Sequence, residues 1–384
     1  MQKVLRKRIF RDFKENLPRY LALAFLLILS MYMVVSVVGA AETVMRGTTT
    51  EAEKQNVEDG QFSLFVPMKE SEWDELTDKG ITLEKMFFLD YVVDGDKTLR
   101  VFRNRTDIDT IAIHEGKLAQ ADDELVIERQ YAEKNDIHVG DTIVLGDRTY
   151  KVSGIGTVPD YDSPLKSLGD TGCDSLNFGL AFVTDEVYTT LQKEGKSAKS
   201  EEYYYAYKLN DVMIDDELKA ELKKLSFSSD DVADVYFQEY WDRTLGREEE
   251  FRDGMNELAD ADNLLSFVTA EDNVRIHAAG DDVAMNKTIG MIAGVLLLVL
   301  IAYVLSVFVV HSIDQESAVI GALYALGVKQ KDLMKHYILL PTLISLIGGA
   351  IGTALAYTKI GVWYQMKDAY NYYSLPDIAV QVLP

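Results

Sequence analysis

The sequence predicts an α-helical membrane protein with three spans and a large α+β domain between the first and the second span. Three segments of the 384-residue chain contain no Lys, Arg, Asp or Glu, and they lie at 20–41, 288–313 and 336–358. At a rise of about 1.5 Å per residue, a helix of each length crosses a hydrocarbon layer of about 30 Å. The stretch between the first two segments, residues 42–287, is long enough to form a domain with its own apolar core.

The first span has a second interpretation as a secretory signal, because SVVGAAE at 36–42 resembles a small-residue cleavage site. The apolar core of a signal peptide covers only about 7–15 residues, and this run is longer and is followed by further spans. We therefore predict that residues 20–41 form an uncleaved membrane helix.

Basic residues near the span ends predict the orientation of the chain. Residues 1–19 carry seven basic and two acidic side chains, which predicts a cytoplasmic N-terminus. Three spans then place residues 42–287 and the tail 359–384 outside the cell, and the connector 314–335 in the cytoplasm. The predicted location is the plasma membrane of a bacterium.

The acidity of the chain is concentrated in the predicted outer domain. Residues 40–287 contain 27 basic and 55 acidic side chains, a net charge of −28. Nucleic acid is excluded as a partner, because phosphate binding needs a basic surface. The acidic stretches at 230–234 and 260–263 lack the spacing of a calcium loop, so we predict no metal. Cys173 is the only cysteine, which excludes an internal disulfide.

The outer domain alternates between strand and helix patterns, with helical composition at 42–58 and 246–279 that predicts two stalks leading to the membrane. Strands are predicted for QFSLFVP (61–67), TLRVFR (98–103), DTIVL (141–145), RTYKVSGIG (148–156), LAFVT (180–184) and EYYYAYKL (202–209). Helices are predicted at 124–135, 184–194 with Thr184 as N-cap, and 215–225.

The outer domain contains no catalytic motif, since HExxH, GxSxG and GxxxxGK[ST] are all missing from the sequence. The loop 158–177 is the segment with a candidate binding role, carried by Tyr161, Asp162 and Asp174, because long irregular loops often bind ligands. An irregular surface excursion is the alternative interpretation. Both interpretations stay open.

The spans favour an anchor over a solute pathway, because transport sites usually place ionisable side chains inside the membrane. The third span instead contains GGAIG, in which Gly348, Gly349 and Gly352 offer small surfaces for close helix packing.

The connector HSIDQESAVIGALYALGVKQKDLMKHY, 311–337, predicts a short amphipathic helix on the cytoplasmic side, ended by Gly327 and followed by a second helix with Lys329. Ile320, Leu323, Tyr324 and Leu326 are expected on one side of it. Such a helix either rests in the lipid headgroups or fits into a groove of a partner protein.

The connector and the third span resemble the MacB/FtsX-type permeases of ABC systems. The resemblance rests on IGALYALG with KQKDL, on PTLISLIGGAIG, and more loosely on VGDTIVLGDRTYKVSGIG at 139–156. In that family the connector contains EIG and ALG; Glu316 and Gly321 hold corresponding places, and Ala325, Leu326 and Gly327 match ALG. Val319 departs from the pattern, since the family often has Glu there.

The resemblance implies that a cytoplasmic ABC ATPase dimer grips the connector and that this motion is transmitted to the outer domain, a mechanism called mechanotransmission. The implied coupling residues are Glu316, Ile320, Gly321, Leu323, Tyr324, Ala325, Leu326 and Gly327. The chain itself needs no cofactor, because ATP binds to the partner subunit. Export, control of a cell-wall hydrolase, and handling of a lipid, lipoprotein or peptide are the implied tasks.

The permeases of this family continue beyond a third span, which implies as partner a second permease subunit or a C-terminal half. The chain is expected to be a half-permease, a split-gene product or the first part of a longer permease. Membrane lipids and an envelope protein or peptide are the other expected partners. A membrane-anchored receptor or scaffold without ATP-driven motion is the alternative function.

Overall fold

The computed structural model describes residues 11, 13, 14, 16–225 and 263–382. The chain divides into two compact units. The membrane unit comprises Met1–Met45, Asp282–Asp368 and Ala379–Pro384, and the α+β unit comprises Arg46–Asp281 and Ala369–Ile378.

The described helices and strands follow one another along the chain in a mixed order. They are α1 Leu17–Lys54, β1 Gly60–Leu64, α2 Glu70–Asp78, β2 Thr82–Lys85, β3 Phe88–Val93, β4 Lys97–Arg103, β5 Ala112–Gly116, β6 Glu124–Glu128, α3 Arg129–Lys134, β7 Thr142–Leu145, β8 Arg148–Thr157, β9 Phe178–Val183, α4 Asp185–Glu194, β10 Tyr203–Lys208, α5 Asp215–Leu222, β11 Leu264–Thr269, α6 Val274–Gln315, α7 Ser317–Ala325, α8 Gln330–Ala356 and α9 Val362–Tyr372.

Helices α1, α6 and α8 are each long and apolar enough to cross a membrane. No more than 22% of the residues in each apolar stretch are buried by the protein itself, so most of this surface is available to lipid. Helices α1 and α6 contain 38 and 42 residues, and both include residues of the α+β unit. At about 1.5 Å per residue, each is roughly twice as long as the hydrocarbon layer is thick.

The α+β unit contains two sheets among its described residues. One has the strand order β11-β1-β10-β2 and is antiparallel throughout. The other has the order β3-β4-β9-β6-β8-β5, with β7 paired to β8, and it mixes parallel and antiparallel pairs. An α+β domain between the first and second membrane helices is therefore confirmed, and each of the six predicted strand segments contains a strand.

Two helix predictions in this unit are wrong in part. Residues 124–135 were expected to be helical, but 124–128 form β6, because the buried run Leu125, Val126 and Ile127 lies between β8 and β9. Glu128 then caps α3 by accepting the backbone N–H of Tyr131 at 2.9 Å. The predicted helix at 246–279 falls partly outside the described residues, and its part at 264–269 is strand β11, paired with β1.

The glycines of α8 lie against helix α1 within the membrane unit. A Cβ added to Gly352 would lie 2.6 Å from the carbonyl oxygen of Ile28, whereas one added to Gly349 would meet only Met31, at 4.0 Å. Gly348 also faces α1, with 3.2 Å between its added Cβ and the Cβ of Leu27. The GGAIG motif therefore contributes a Gly-x-x-x-Gly pair to the contact, with the middle glycine turned away.

Helix α6 contacts the same helix in the same way. Gly290 and Gly294 each place an added Cβ 3.0 Å from a valine methyl group of α1, on Val37 and Val34 respectively. Both membrane helices therefore approach α1 through glycines four residues apart.

A group of buried charges lies where α1 ends and α6 begins, and we call it the helix junction: Glu58, Arg105, Asp109, Asp160 and Asn273. The carboxylate of Glu58 accepts the side-chain N–H of Asn273 at 3.0 Å, and its backbone N–H donates to Asp109 at 3.0 Å. Arg105 forms an ion pair with Asp160 and donates to the carbonyl of Asp109 at 3.3 Å. All five residues are at most 6% exposed.

One guanidinium cannot balance three buried carboxylates, so the junction retains protons. Burial raises the pKa of Glu58 to about 8, and Asp160 adds to this, against the opposing effects of Asn273 and Arg105. Burial, with Asp160 and Glu58, also raises the pKa of Asp109 well above its usual range. At neutral pH the folded chain therefore holds protons that the unfolded chain has already released.

We expect Gly352→Ala to destabilise the membrane unit by about 1–3 kcal/mol, because the new methyl group would collide with the backbone of α1. Gly349→Ala is the matched control, and alanine's higher helix propensity should make it neutral or slightly stabilising. Thermal unfolding of the full chain in detergent measures both. Equal effects of the two substitutions would contradict the proposed contact.

The raised pKa of Glu58 predicts that stability falls as pH rises. Protonated Glu58 favours the folded state below pH 4.5, and this contribution is lost progressively up to about pH 8, by at most about 1.4 kcal/mol per pH unit for one proton. Glu58→Gln should make the free energy of unfolding less dependent on pH across this range. Relative to the wild type, the variant should be most stabilised near pH 8. The exposed Glu186→Gln is the control, and parallel slopes in wild type and Glu58→Gln would refute the assignment.

Candidate functional site

The candidate coupling segment is helix α7 together with the turn that joins it to α8. Gly327 has a φ of +86° and directly follows Leu326, which is the C-cap residue of α7. The N–H of Gly327 donates to the carbonyl of Tyr324 at 3.0 Å, and the N–H of Val328 donates to that of Leu323 at 3.1 Å. This is the Schellman arrangement, which a glycine in the left-handed region makes without strain.

The side chains that hold α7 in place are Ile320 and Leu323. Both pack against the buried Val328 and Leu333, which lie after the turn and on α8. At the start of the segment, the hydroxyl of Tyr337 donates to the carboxylate of Glu316 at 2.5 Å. One face of α7 is therefore attached to α8 at both of its ends.

The predicted grouping of apolar side chains on α7 is wrong in part. Tyr324 and Leu326 do not join Ile320 and Leu323 but are 65% and 81% exposed. Tyr324 is turned by about 100° from Leu323 and by about 40° from Ile320, so it stands at the edge of the packed side, and Leu326 is the C-cap residue. Sequence periodicity could not separate these pairs, because all four residues are apolar.

The face of α7 directed away from α8 is flat and apolar. Ala318, Gly321, Ala322 and Ala325 are all exposed, and a Cβ added to Gly321 would meet nothing within 4 Å. We call these four residues the small-residue face. Tyr324 and Leu326 flank it, and exposed lysines follow at the start of α8 and one turn further on, at positions 329, 331 and 335.

The loop residues Tyr161, Asp162 and Asp174 do not form one surface. Tyr161 is 4% exposed, and the guanidinium of Arg275 lies 4.4 Å from the centre of its ring. Asp162 is also buried; burial and the neighbouring Asp160 raise its pKa well above the usual range. A ligand would reach neither side chain without movement of the loop.

Asp174, in contrast, is exposed, and its carboxylate accepts the side-chain N–H of Asn177 at 2.9 Å. It also lines a cleft of about 530 Å³ together with Cys173, whose thiol has a pKa raised by burial to about 11. The binding role predicted for this loop stays a prediction.

A segment that sequence reasoning missed is the strap, residues 369–378, which belongs to the α+β unit. Arg129 on α3 donates to the carbonyl of Leu375 at 3.1 Å and to the carboxylate of Asp377 at 3.0 Å. Gln130 donates to the carbonyl of Tyr373 at 2.9 Å. The spacing of the buried Val362 and Met366, four residues apart, could have predicted α9, the helix that leads into the strap.

The strap also reaches the loop and helix α1. The N–H of Ser374 donates to the carbonyl of Asp162 at 2.7 Å, and its hydroxyl bonds to the buried carboxylate of Glu128. Burial raises the pKa of Glu128 although these donors oppose the shift. A Cβ added to Gly47 of α1 would overlap the side chain of Ile378. The segment after the third membrane helix is thus bonded to several parts of the α+β unit.

Comparison with known proteins gives a family match and likenesses to solved structures. Residues 291–383 match the family described as FtsX-like permease C-terminal. No curated protein sequence matches the chain. Among solved structures, the extracellular domain of the noncanonic ABC-type transporter YknZ from Gram-positive bacteria is similar at 13% identity, over 43% of this chain and 89% of that chain, with a TM-score of 0.25.

The family match covers the coupling segment and α8 in full, and it includes the ALG residues and the GGAIG motif. It confirms the resemblance that those motifs suggested. In the part of the chain that the structure describes, three helices are long and apolar enough to cross a membrane, and residues 291–383 are similar to the C-terminal part of FtsX-like permeases.

Proposed function

We propose that the chain is the transmembrane subunit of an ABC-type complex, that a cytoplasmic ATPase dimer docks on helix α7, and that the resulting motion is transmitted to the α+β unit. The single observation that carries this proposal is the small-residue face of α7, which is exposed, apolar and attached from behind to α8. The position of α7 within the matched permease segment supports the same role.

The chemistry of this face favours a protein partner over lipid headgroups. Small side chains allow the backbone of a partner to approach closely, which gives a protein groove many van der Waals contacts and gives fluid lipid no advantage. Tyr324 and Leu326 extend beyond the flat face, where they can fill pockets as aromatic and aliphatic anchors. In this proposal Ile320, Leu323 and Glu316 act by holding the helix, and Gly327 sets its end.

Transmission is supported by the continuity of α1 and α6. Each is one helix that contains both a membrane stretch and residues of the α+β unit, and both contact each other through glycines within the membrane unit. In this proposal, motion of α6 reaches the α+β unit along the continuous backbone of that helix. The strap follows α9 in the chain and belongs to the α+β unit.

The nucleotide site belongs to the partner in this proposal, since the sequence of this chain contains no GxxxxGK[ST] motif. A second permease subunit is a further partner in this proposal. The N-terminus and α7 are cytoplasmic and the α+β unit is outside the cell, in agreement with the basic residues 1–19. The proposed task is work on a lipid, a peptide or an envelope protein at that surface.

Substitutions at Gly321 and Leu326 test the docking surface. Gly321→Leu should abolish association with the ATPase, because the flat face gains a bulky side chain while the chain itself has room for it. Leu326→Asp should do the same by placing a charge in an apolar contact. The measurement is co-purification from native membranes, with mass spectrometry of the partner and its ATP hydrolysis.

Conservative substitutions at the same positions are the controls. Gly321→Ala and Leu326→Met keep the face small and apolar, so they should retain the ATPase, and all four variants should insert into the membrane equally. An ATPase retained by Gly321→Leu and Leu326→Asp would contradict the proposal and favour a membrane-anchored receptor.

A further inference from the structure

The α+β unit contains a cleft that the proposed coupling mechanism does not use. It is bounded by helix α2, strand β2, the loop 104–107 and the start of α4, and we call it the aromatic cleft. Its volume of about 710 Å³ lies within the range of about 300–1,000 Å³ that is usual for ligand sites.

The walls of the aromatic cleft are built from rings that hold one another in place. Phe87 and Tyr203 line it and meet edge to face, with 5.1 Å between their ring centres. Trp73, on α2, also lines it and lies 6.2 Å from the ring of Tyr205. Phe87 and Tyr203 are buried in the core on their other sides, so the shape of the apolar wall is set before any ligand arrives.

The rim of the aromatic cleft is strongly acidic. Two basic side chains line it, Lys85 and Arg103, against six acidic ones: Glu70, Asp74, Glu84, Asp107, Asp185 and Glu201. Two of these carboxylates already accept hydrogen bonds from neighbouring groups of the α+β unit. Glu84 accepts the backbone N–H groups of the loop at 106 and 107, at 2.7 and 2.8 Å, and Glu201 accepts the hydroxyl of Tyr188 at 2.7 Å.

Four acidic side chains of the rim remain exposed, at 70, 74, 107 and 185, and the last of them lies 3.7 Å from the guanidinium of Arg103. Two of them, Glu70 and Asp74, stand on the same helix as Trp73. A neutral apolar ligand would desolvate these carboxylates without compensation, and an anion would be repelled. The cleft therefore selects for a positive charge.

A lysine of the chain itself already occupies the position that the positive charge of a ligand would take. The ammonium group of Lys85 lies over the ring of Trp73, 5.4 Å from its centre, which is a cation–π distance. Lys85 is exposed, so it can leave the ring at little cost. The ring is thus a cation-binding surface occupied by a displaceable side chain.

We propose that the aromatic cleft binds a basic, amphipathic peptide, with an arginine or lysine side chain over Trp73, apolar neighbours against Phe87 and Tyr203, and the rim carboxylates around the charge. A peptide is favoured because the cleft combines an apolar wall and several separated carboxylates along an open groove, which matches alternating apolar and basic side chains. The proposal stands independently of the ATPase partner.

The test uses the full chain in nanodiscs of zwitterionic lipid, titrated calorimetrically with acetyl-Leu-Arg-Leu-Arg-amide. The same peptide with citrulline in place of both arginines has nearly the same shape but no charge, and it should bind at least about threefold more weakly, as loss of a cation–π contact implies. Empty nanodiscs correct for binding to lipid.

Four variants locate the site. Asp74→Asn and Trp73→Phe should weaken binding of the arginine peptide by about threefold or more, whereas Lys85→Gln should strengthen it by removing the internal competitor. Asp78→Asn removes the same charge from the end of the same helix but outside the cleft, so it should leave the affinity unchanged.

Two results with the peptides would overturn the proposal: no heat from the arginine peptide at millimolar concentration, or equal binding of the citrulline peptide. Equal effects of Asp74→Asn and Asp78→Asn would also overturn it, because they would indicate attraction to the acidic unit as a whole. None of these results depends on ATPase association. Failure here and failure of the coupling proposal are therefore distinguishable.

Discussion

The apolar surface of three long helices is the constraint on which the rest of the structure depends. Fewer than a quarter of the residues in their apolar stretches are buried by the protein, so a hydrocarbon layer must cover the remainder. Within that layer no hydrophobic force draws helices together, and close packing has to provide the contact. The glycine pairs of α6 and α8, both directed at α1, supply it.

The same constraint determines where charge can lie. The spans contain no acidic residue, lysine or arginine, and the acidic excess is concentrated in residues 40–287. Among the described residues of the α+β unit, several buried charges lie in bonded groups, such as the helix junction and the pair of Arg100 with Asp90 at 2.9 Å. Helices α1 and α6 carry residues of both units, so each of them contains an apolar stretch and a stretch with charged residues.

Features set by local chemistry could be predicted from the sequence, and features set by distant contacts could not. The spans follow from composition, and the end of α7 follows from Gly327, because these signals lie within a few residues. Strand β11 pairs with β1, about two hundred positions away, and the strap bonds to Arg129 on α3. No local pattern encodes those partners, and the partial burial of Leu323 beside an exposed Tyr324 depends on contacts with Val328 and Leu333.

The central claim is that the small-residue face of α7 contacts an ATPase, and site-specific photocrosslinking tests it most directly. A benzoylphenylalanine at position 325 lies on that face, and one at position 296 lies on the exposed apolar surface of α6. In native membranes, position 325 should crosslink to an ABC-type ATPase subunit and position 296 should not. Crosslinks from position 325 to lipid alone would contradict the claim.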